Sequence, residues 1–167
     1  MITLNLKEKT YEFPKFREQL VEFLKIYLAI KPLQFFYKTK SENTINQLKV
    51  LPNGTIGYEL YKMLDNNNLK VIPKFENHDL KHIILGYGMT SIEEIKMQAY
   101  LFGNGNKTIF CILFLASGLI FPEEWKSFYK EFKKGKKSIY IHDLQFKETI
   151  TKQTEIIKTT YNNGSYN

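Results

Sequence analysis

Along most of this chain, apolar residues recur at three- and four-residue intervals, the spacing that gathers them on one face of an α-helix. Phe13, Phe16, Leu20, Phe23, Leu24, Tyr27 and Leu28 make the first such stripe. A helix is therefore predicted from Pro14 to about Ile30, with Pro14 in the first turn, where its missing N–H costs nothing, and with Pro32 ending or kinking it. No period is clear again until the turn Pro52-Asn53-Gly54, after which Ile56, Leu60, Met63 and Leu64 form one stripe closed by three asparagines.

A further helix is expected from near Asn77 through His82 to Leu85, stopped at Gly86-Tyr87-Gly88, whose glycines permit a sharp turn. The next begins at Thr90 or Ser91. Ser91 stands three residues before Glu94, the spacing of a capping box, and Ile92, Ile95, Ala99 and Phe102 carry the stripe to Gly103. Residues 108–120 are apolar on every face, so periodicity alone does not exclude a strand, but the length favours a buried central helix. Pro122, Glu123 and Glu124 open another helix. It puts Trp125, Phe128, Tyr129 and Phe132 on one face and ends with Lys130, Lys133 and Lys134 before Gly135, which suits the helix dipole at both ends. Phe146, Ile150, Ile157 and Tyr161 predict a last helix from about Leu144 to Thr160, with residues 161–167 as a fraying tail. Alternating strands, internal repeats and long linkers are all missing from the pattern. The expected fold is one all-α domain over residues 1–160, an irregular bundle of about six to eight helices.

Composition narrows the setting. Cys111 is the only cysteine, so an intrachain disulfide and a four-cysteine zinc site are excluded, which fits a reducing compartment. The first residues, MITLNLKEKTYEF, lack the apolar core of a secretory signal. The longest apolar run, Thr108 to Phe121, is shorter than the roughly 20 residues that cross a bilayer. The chain is thus expected to be cytoplasmic, or peripheral on the inner face of a bacterial membrane. A net charge of +7 favours anionic lipid, phosphate or nucleic acid. No RNA-binding consensus, zinc finger or Gly-x-Gly-x-x-Gly loop accompanies that charge, and the lysines are spread among glutamates, so nucleic acid is not an expected partner. The number of apolar helix faces for this length makes a homodimer an expectation.

Candidate chemistry concentrates at His78-Asp79-Leu80-Lys81-His82. Residues four apart project from the same side of a helix, so the imidazoles of His78 and His82 can share one metal ion. Asp79 can act as an oxygen ligand or as an acceptor that orients an imidazole. The turn at Gly86 and Gly88 lets the following helix fold back and bring Glu94 toward the histidines, giving a set suited to zinc or another divalent ion. The same residues also admit a purely structural reading, with Asp79 in a first helical turn, Glu94 completing a capping box and the histidines exposed. A second His-Asp pair, His142-Asp143, has no histidine four residues away and reads as structural.

Two blocks resemble the coenzyme Q biosynthesis protein 4 family. The first is Leu51-Pro52-Asn53-Gly54-Thr55-Ile56-Gly57, followed by an aromatic-rich helix ending at Leu64-Asp65-Asn66-Asn67. The second is Glu76-Asn77-His78-Asp79-Leu80-Lys81-His82 with Gly86-Tyr87-Gly88 behind it, where eleven residues separate His82 from Glu94, as in the family's His-Asp-x-x-His-x11-Glu signature. Lys133-Lys134-Gly135-Lys136-Lys137 resembles a basic-glycine-basic stretch of the family. Asn77 and Lys81 stand where the family usually has threonine and tryptophan. The resemblance implies an all-helical fold in which His78, Asp79, His82 and Glu94 bind a divalent ion, zinc by the family's habit, beside a groove for a polyprenyl quinone precursor. It also implies head-group chemistry, namely loss of a ring carboxylate coupled to hydroxylation, and peripheral assembly with other enzymes at a membrane surface. A non-catalytic scaffold presenting the prenyl lipid is the alternative. A metal-dependent phosphohydrolase of the His-Asp type needs a further upstream histidine that this chain does not have.

Overall fold

The structure, a computed structural model, describes residues 16–23, 44–72, 75–142 and 144–163. Among them the architecture is all-α. Helices α1 (residues 16–23) and α2 (residues 44–49) precede α3 (Ile56–Asn66), α4 (Glu76–Leu85), α5 (Ser91–Gly103), α6 (Ile109–Ser117), α7 (Trp125–Lys137), α8 (Phe146–Thr149) and α9 (Thr154–Asn163). Two single 3-10 turns, Gly118–Ile120 and Pro122–Glu124, link α6 to α7. The predicted helix from Pro14 to Ile30 is present over residues 16–23, and the rest of that span lies outside the described residues.

The centre of the bundle is α5, which buries Ile95, Met97, Ala99, Tyr100 and Leu101 together with the polar Ser91, Glu94 and Gln98. One apolar cluster gathers α3, α4, α5 and α9 around Ile56, Leu60, Leu80, Ile84, Met97 and Ile157. A second joins Val21 of α1 to Ile95, Ala99, Phe121 and Phe128. α5 and α7 pack closely because each brings a glycine to the crossing. A side chain on Gly103 would meet the carbonyl of Phe132, and one on Gly135 would meet the carbonyl of Tyr100. Buried Asn104 then ties the ends together, its Nδ2 donating to the carbonyls of Gly135, Ser138 and Ile139 (3.0–3.1 Å) while its Oδ1 accepts from Ile141 N at 2.9 Å.

Several sequence expectations need correction. α6 is helical, but it is not the buried centre: Cys111 alone is buried on it, and Ile109, Phe110, Ile112 and Leu113 are exposed. α7 runs through Gly135 to Lys137, because that glycine is a packing residue rather than a stop. On α7 only Phe128 and Gly135 are buried, while Trp125 and Tyr129 are exposed. The single helix predicted from Leu144 to Thr160 is divided into α8 and α9. The backbone between them bonds instead to the start of α3, with Gly57 N donating to Ile150 O, Ile56 N to Lys152 O, and Thr154 N to Gly54 O, each at 2.9 Å. α9 continues to Asn163, and residues 164–167 lie outside the described residues.

Candidate metal centre

The site stands on two helices and the turn between them. α4 carries His78 and His82 one turn apart. Gly86 ends the helix in the left-handed conformation, φ 76°, where glycine has no side chain to clash. Thr90 starts α5, its hydroxyl accepting from Glu93 N at 3.3 Å. Ser91 is therefore not the cap; its Oγ donates to Glu22 Oε1 at 2.8 Å and pins α1 to the start of α5. Released from the predicted capping box, Glu94 turns inward between the histidines.

His82 Nε2 lies 2.9 Å from Glu94 Oε2, and His78 Nε2 lies 3.4 Å from Glu94 Oε1. The two Nε2 atoms are 3.3 Å apart. One atom from each of His78, His82 and Glu94 thus falls within a 4.8 Å group. A tetrahedral ion with bonds of about 2.0–2.1 Å sets its ligand atoms roughly 3.3 Å apart, so the triangle has the size such an ion requires. The His82 side chain is fully buried and that of Glu94 is 5% exposed, whereas that of His78 is 27% exposed, so His78 marks the accessible side.

Hydrogen bonds support His82 and Glu94. His82 Nδ1 lies 3.2 Å from the Tyr87 carbonyl. A carbonyl only accepts, so Nδ1 donates to it and Nε2 is the ring atom that faces Glu94. At 2.9 Å, this nitrogen and the carboxylate oxygen hold a proton or a cation between them. Gln98 Nε2 donates to Glu94 Oε1 at 2.8 Å, and Cys111 Sγ contacts the Gln98 carbonyl at 3.4 Å. Tyr87 is held in turn by its hydroxyl, which donates to Glu131 Oε2 of α7 at 2.6 Å. Phe75 sets its edge against His78 (6.3 Å between centroids) and against Phe110 of α6 (5.6 Å), which extends an aromatic wall from the accessible side.

Electrostatics agree with the geometry. Burial pushes the Glu94 carboxyl up, but the two imidazoles outweigh it and hold the group well below the usual carboxylate range. Burial pulls His78 down, yet the Glu94 carboxylate leaves it raised above an ordinary imidazole. Asp79 is not part of the three-residue group. Burial pushes its carboxyl up to about 6, against the opposing pull of His78 and His82. Burial also lowers Lys81 and pushes the Cys111 thiol up to about 11.

Of the residues singled out in the sequence, His78, His82 and Glu94 come together, and Asp79 lies beside them as an electrostatic neighbour. His142 stacks on Tyr140 (5.7 Å) away from this group, and Asp143 lies outside the described residues. The supporting residues Gln98, Tyr87 and Glu131 escape a reading of the sequence. Gln98 alone leaves a signal there, standing one helical turn after Glu94.

No family model matches this chain, and no curated protein matches it in sequence. Among solved structures, it is similar to a protein of Nostoc punctiforme proposed to act in ubiquinone biosynthesis. The two align over 96% of this chain and 99% of that one, with a TM-score of 0.54 and 15% identity. At that identity the likeness is one of fold.

Proposed function

We propose that this chain is a metal-binding protein of quinone biosynthesis, holding one divalent ion at His78, His82 and Glu94 for work on a polyprenylated aromatic acid. The observation that carries the reading is the convergence of two imidazole nitrogens and a buried carboxylate, closed on the protein side and accessible at His78. Three protein donors with one side free suit an ion that receives a ligand, whereas structural zinc sites are closed by a fourth protein donor. Two imidazoles and a carboxylate suit zinc in particular. The His-Asp-x-x-His-x11-Glu spacing and the fold shared with the Nostoc punctiforme protein support the quinone assignment.

When bound, the ion supplies a Lewis acid able to hold the ring carboxylate and stabilise negative charge that develops on it. The chain's own residues prepare that event. The Tyr87 carbonyl accepts from His82 Nδ1, which leaves Nε2 as the ring atom for the ion. Gln98 fixes the rotamer of Glu94. Asp79 lies beside the set and acts on its imidazoles through its charge. Phe75 and Phe110 keep water from one flank and lead toward the exposed Ile109, Ile112 and Leu113 of α6, an apolar path for a prenyl tail. Replacing a ring carboxylate by hydroxyl is an oxidation, so the electrons released pass to molecular oxygen or to a redox partner. No described helix is long and apolar enough to cross a membrane. The exposed apolar face of α6 and the exposed lysines of α7 support a place on a membrane surface.

The exposed face of α6 equally favours a second reading, in which the chain presents a prenyl lipid to partner enzymes without transforming it. Elemental mass spectrometry of tag-free protein is the first test. About one ion per chain, lost in both His78→Ala and Glu94→Ala, is the expected result. Wild-type protein that takes up no zinc or iron would end the metal reading. Turnover of a prenylated hydroxybenzoate, abolished in His82→Ala, separates catalysis from presentation.

A further inference from the structure

Lys81 sits within the histidine stretch of α4 and is only 8% exposed. Among the described residues its ammonium has neither a hydrogen-bond acceptor nor a carboxylate partner, and it is not one of the side-chain atoms sealed from solvent. Lysine can bury its stem along apolar surface while its head stays in accessible space, but a cation without a counter-ion in so enclosed a position is uncommon. Its location gives the enclosure meaning. Lys81 follows His78 by three residues, so the two share one side of α4. Its charge is felt at His78, on the accessible side of the donor triangle, and at Cys111 of α6. Glu94 is already taken by His78, His82 and Gln98 and does not neutralise it.

We propose that Lys81 is an anion-binding residue of this site, its ammonium receiving an oxyanion, carboxylate or phosphate, on a ligand that lies over His78. The proposal rests on the metal reading only for what the ligand's other end meets. It names Lys81 as a determinant of ligand class: the site takes anions and rejects neutral analogues of the same shape. An ammonium with no counter-ion among the described residues gains a charge-assisted bond on binding, and a neutral side chain of equal length gains none.

The probes are benzoate and inorganic phosphate, titrated calorimetrically into metal-loaded and metal-stripped full-length protein, with benzamide as the neutral analogue. Wild type is expected to bind one anion and to ignore benzamide. Lys81→Met keeps the apolar stem and is expected to weaken anion binding at least about tenfold, with metal content and melting temperature retained, while Lys81→Arg stays within a few-fold of wild type. The tighter of the two probes identifies carboxylate or phosphate as the group recognised. Should Lys81→Met fail to fold, Lys81→Gln carries the same comparison. Equal anion binding by wild type and the neutral variant overturns the proposal, as does wild type that binds neither probe. Metal content is read separately, so a wild type devoid of metal defeats the metal reading and leaves the metal-stripped titration to decide Lys81.

Discussion

Glu94→Gln isolates the charge of the carboxylate while keeping its shape and its capacity to accept from Gln98 Nε2. In wild type the carboxylate is the anionic member of the donor triangle. An ion supplied at 100 times its dissociation constant stabilises the folded chain by about 2.7 kcal/mol. At roughly 2–4 °C per kcal/mol for a chain of this size, wild type should melt about 5–11 °C higher with metal than without. Changes outside the ligand set cost 10–100-fold in affinity, so loss of the anionic ligand is expected to cost at least about 100-fold. The same metal concentration then lies near the variant's dissociation constant and yields only about 0.4 kcal/mol, or roughly 1 °C. Differential scanning fluorimetry with zinc and with chelator reads both shifts. A variant that gains as many degrees as wild type would refute Glu94 as a ligand, whatever ion the protein holds.

Four further outcomes follow from the structure. Metal affinity should fall as pH drops through the raised value of His78, above the ordinary 6.5, because protons then compete for its ring, and fall further near 6 as the neighbouring Asp79 carboxyl loses its charge; competition with a chromogenic chelator across pH 5–8 measures it, and a flat profile counts against the site. In metal-free protein the signs are different. Asp79 titrates higher when folded, so its unfavourable contribution above pH 6 fades as pH falls from about 6 toward 3.8; His78 adds stability below its unfolded value that is lost as pH rises through its raised one; Glu94 adds stability above 4.5 that is lost only at much lower pH. Stripped protein should therefore melt higher at pH 5.5 than at pH 7.5, with Asp79→Asn reducing the difference, and the reverse order would contradict these assignments. Gly135→Ala should destabilise by about 1–3 kcal/mol or more, because its methyl meets the Tyr100 carbonyl and the backbone has nowhere to retreat; a denaturant melt that matches wild type would show that the crossing can open. Arg17→Ala should cost little, since its partner Glu123 is 49% exposed; a loss far beyond about 1 kcal/mol would mean that its bond to the Ile120 carbonyl matters more than the ion pair.

The parts of the fold that were legible in the sequence are those where one local signal suffices. α3 follows from its stripe and from the turn Pro52-Asn53-Gly54, α4 from its histidine-bearing turn and Gly86, and the reversal between α4 and α5 from two glycines. The His78–His82 spacing and the distance to Glu94 contained the triangle. Tertiary contacts decided what remained hidden. α6 is apolar on every side, so its sequence does not reveal which face is covered, and the structure covers Cys111 and little else. The stripe Phe146, Ile150, Ile157, Tyr161 keeps helical phase across a break, because the residues between α8 and α9 give their carbonyls to α3 instead of to their own helix. Gly135 looked like a terminus because glycine commonly ends helices, whereas here the absent side chain serves contact with α5.

Tyr87 faces two ways, with its carbonyl on the ring of His82 and its hydroxyl on Glu131 of α7. The metal-binding motif is therefore contiguous in sequence but not modular. An excised hairpin of α4 and α5 would carry every candidate ligand, yet the turn that fixes the proton on His82 would have lost its anchor 44 residues downstream. Transplanting the motif into another bundle thus means transplanting a third helix with it.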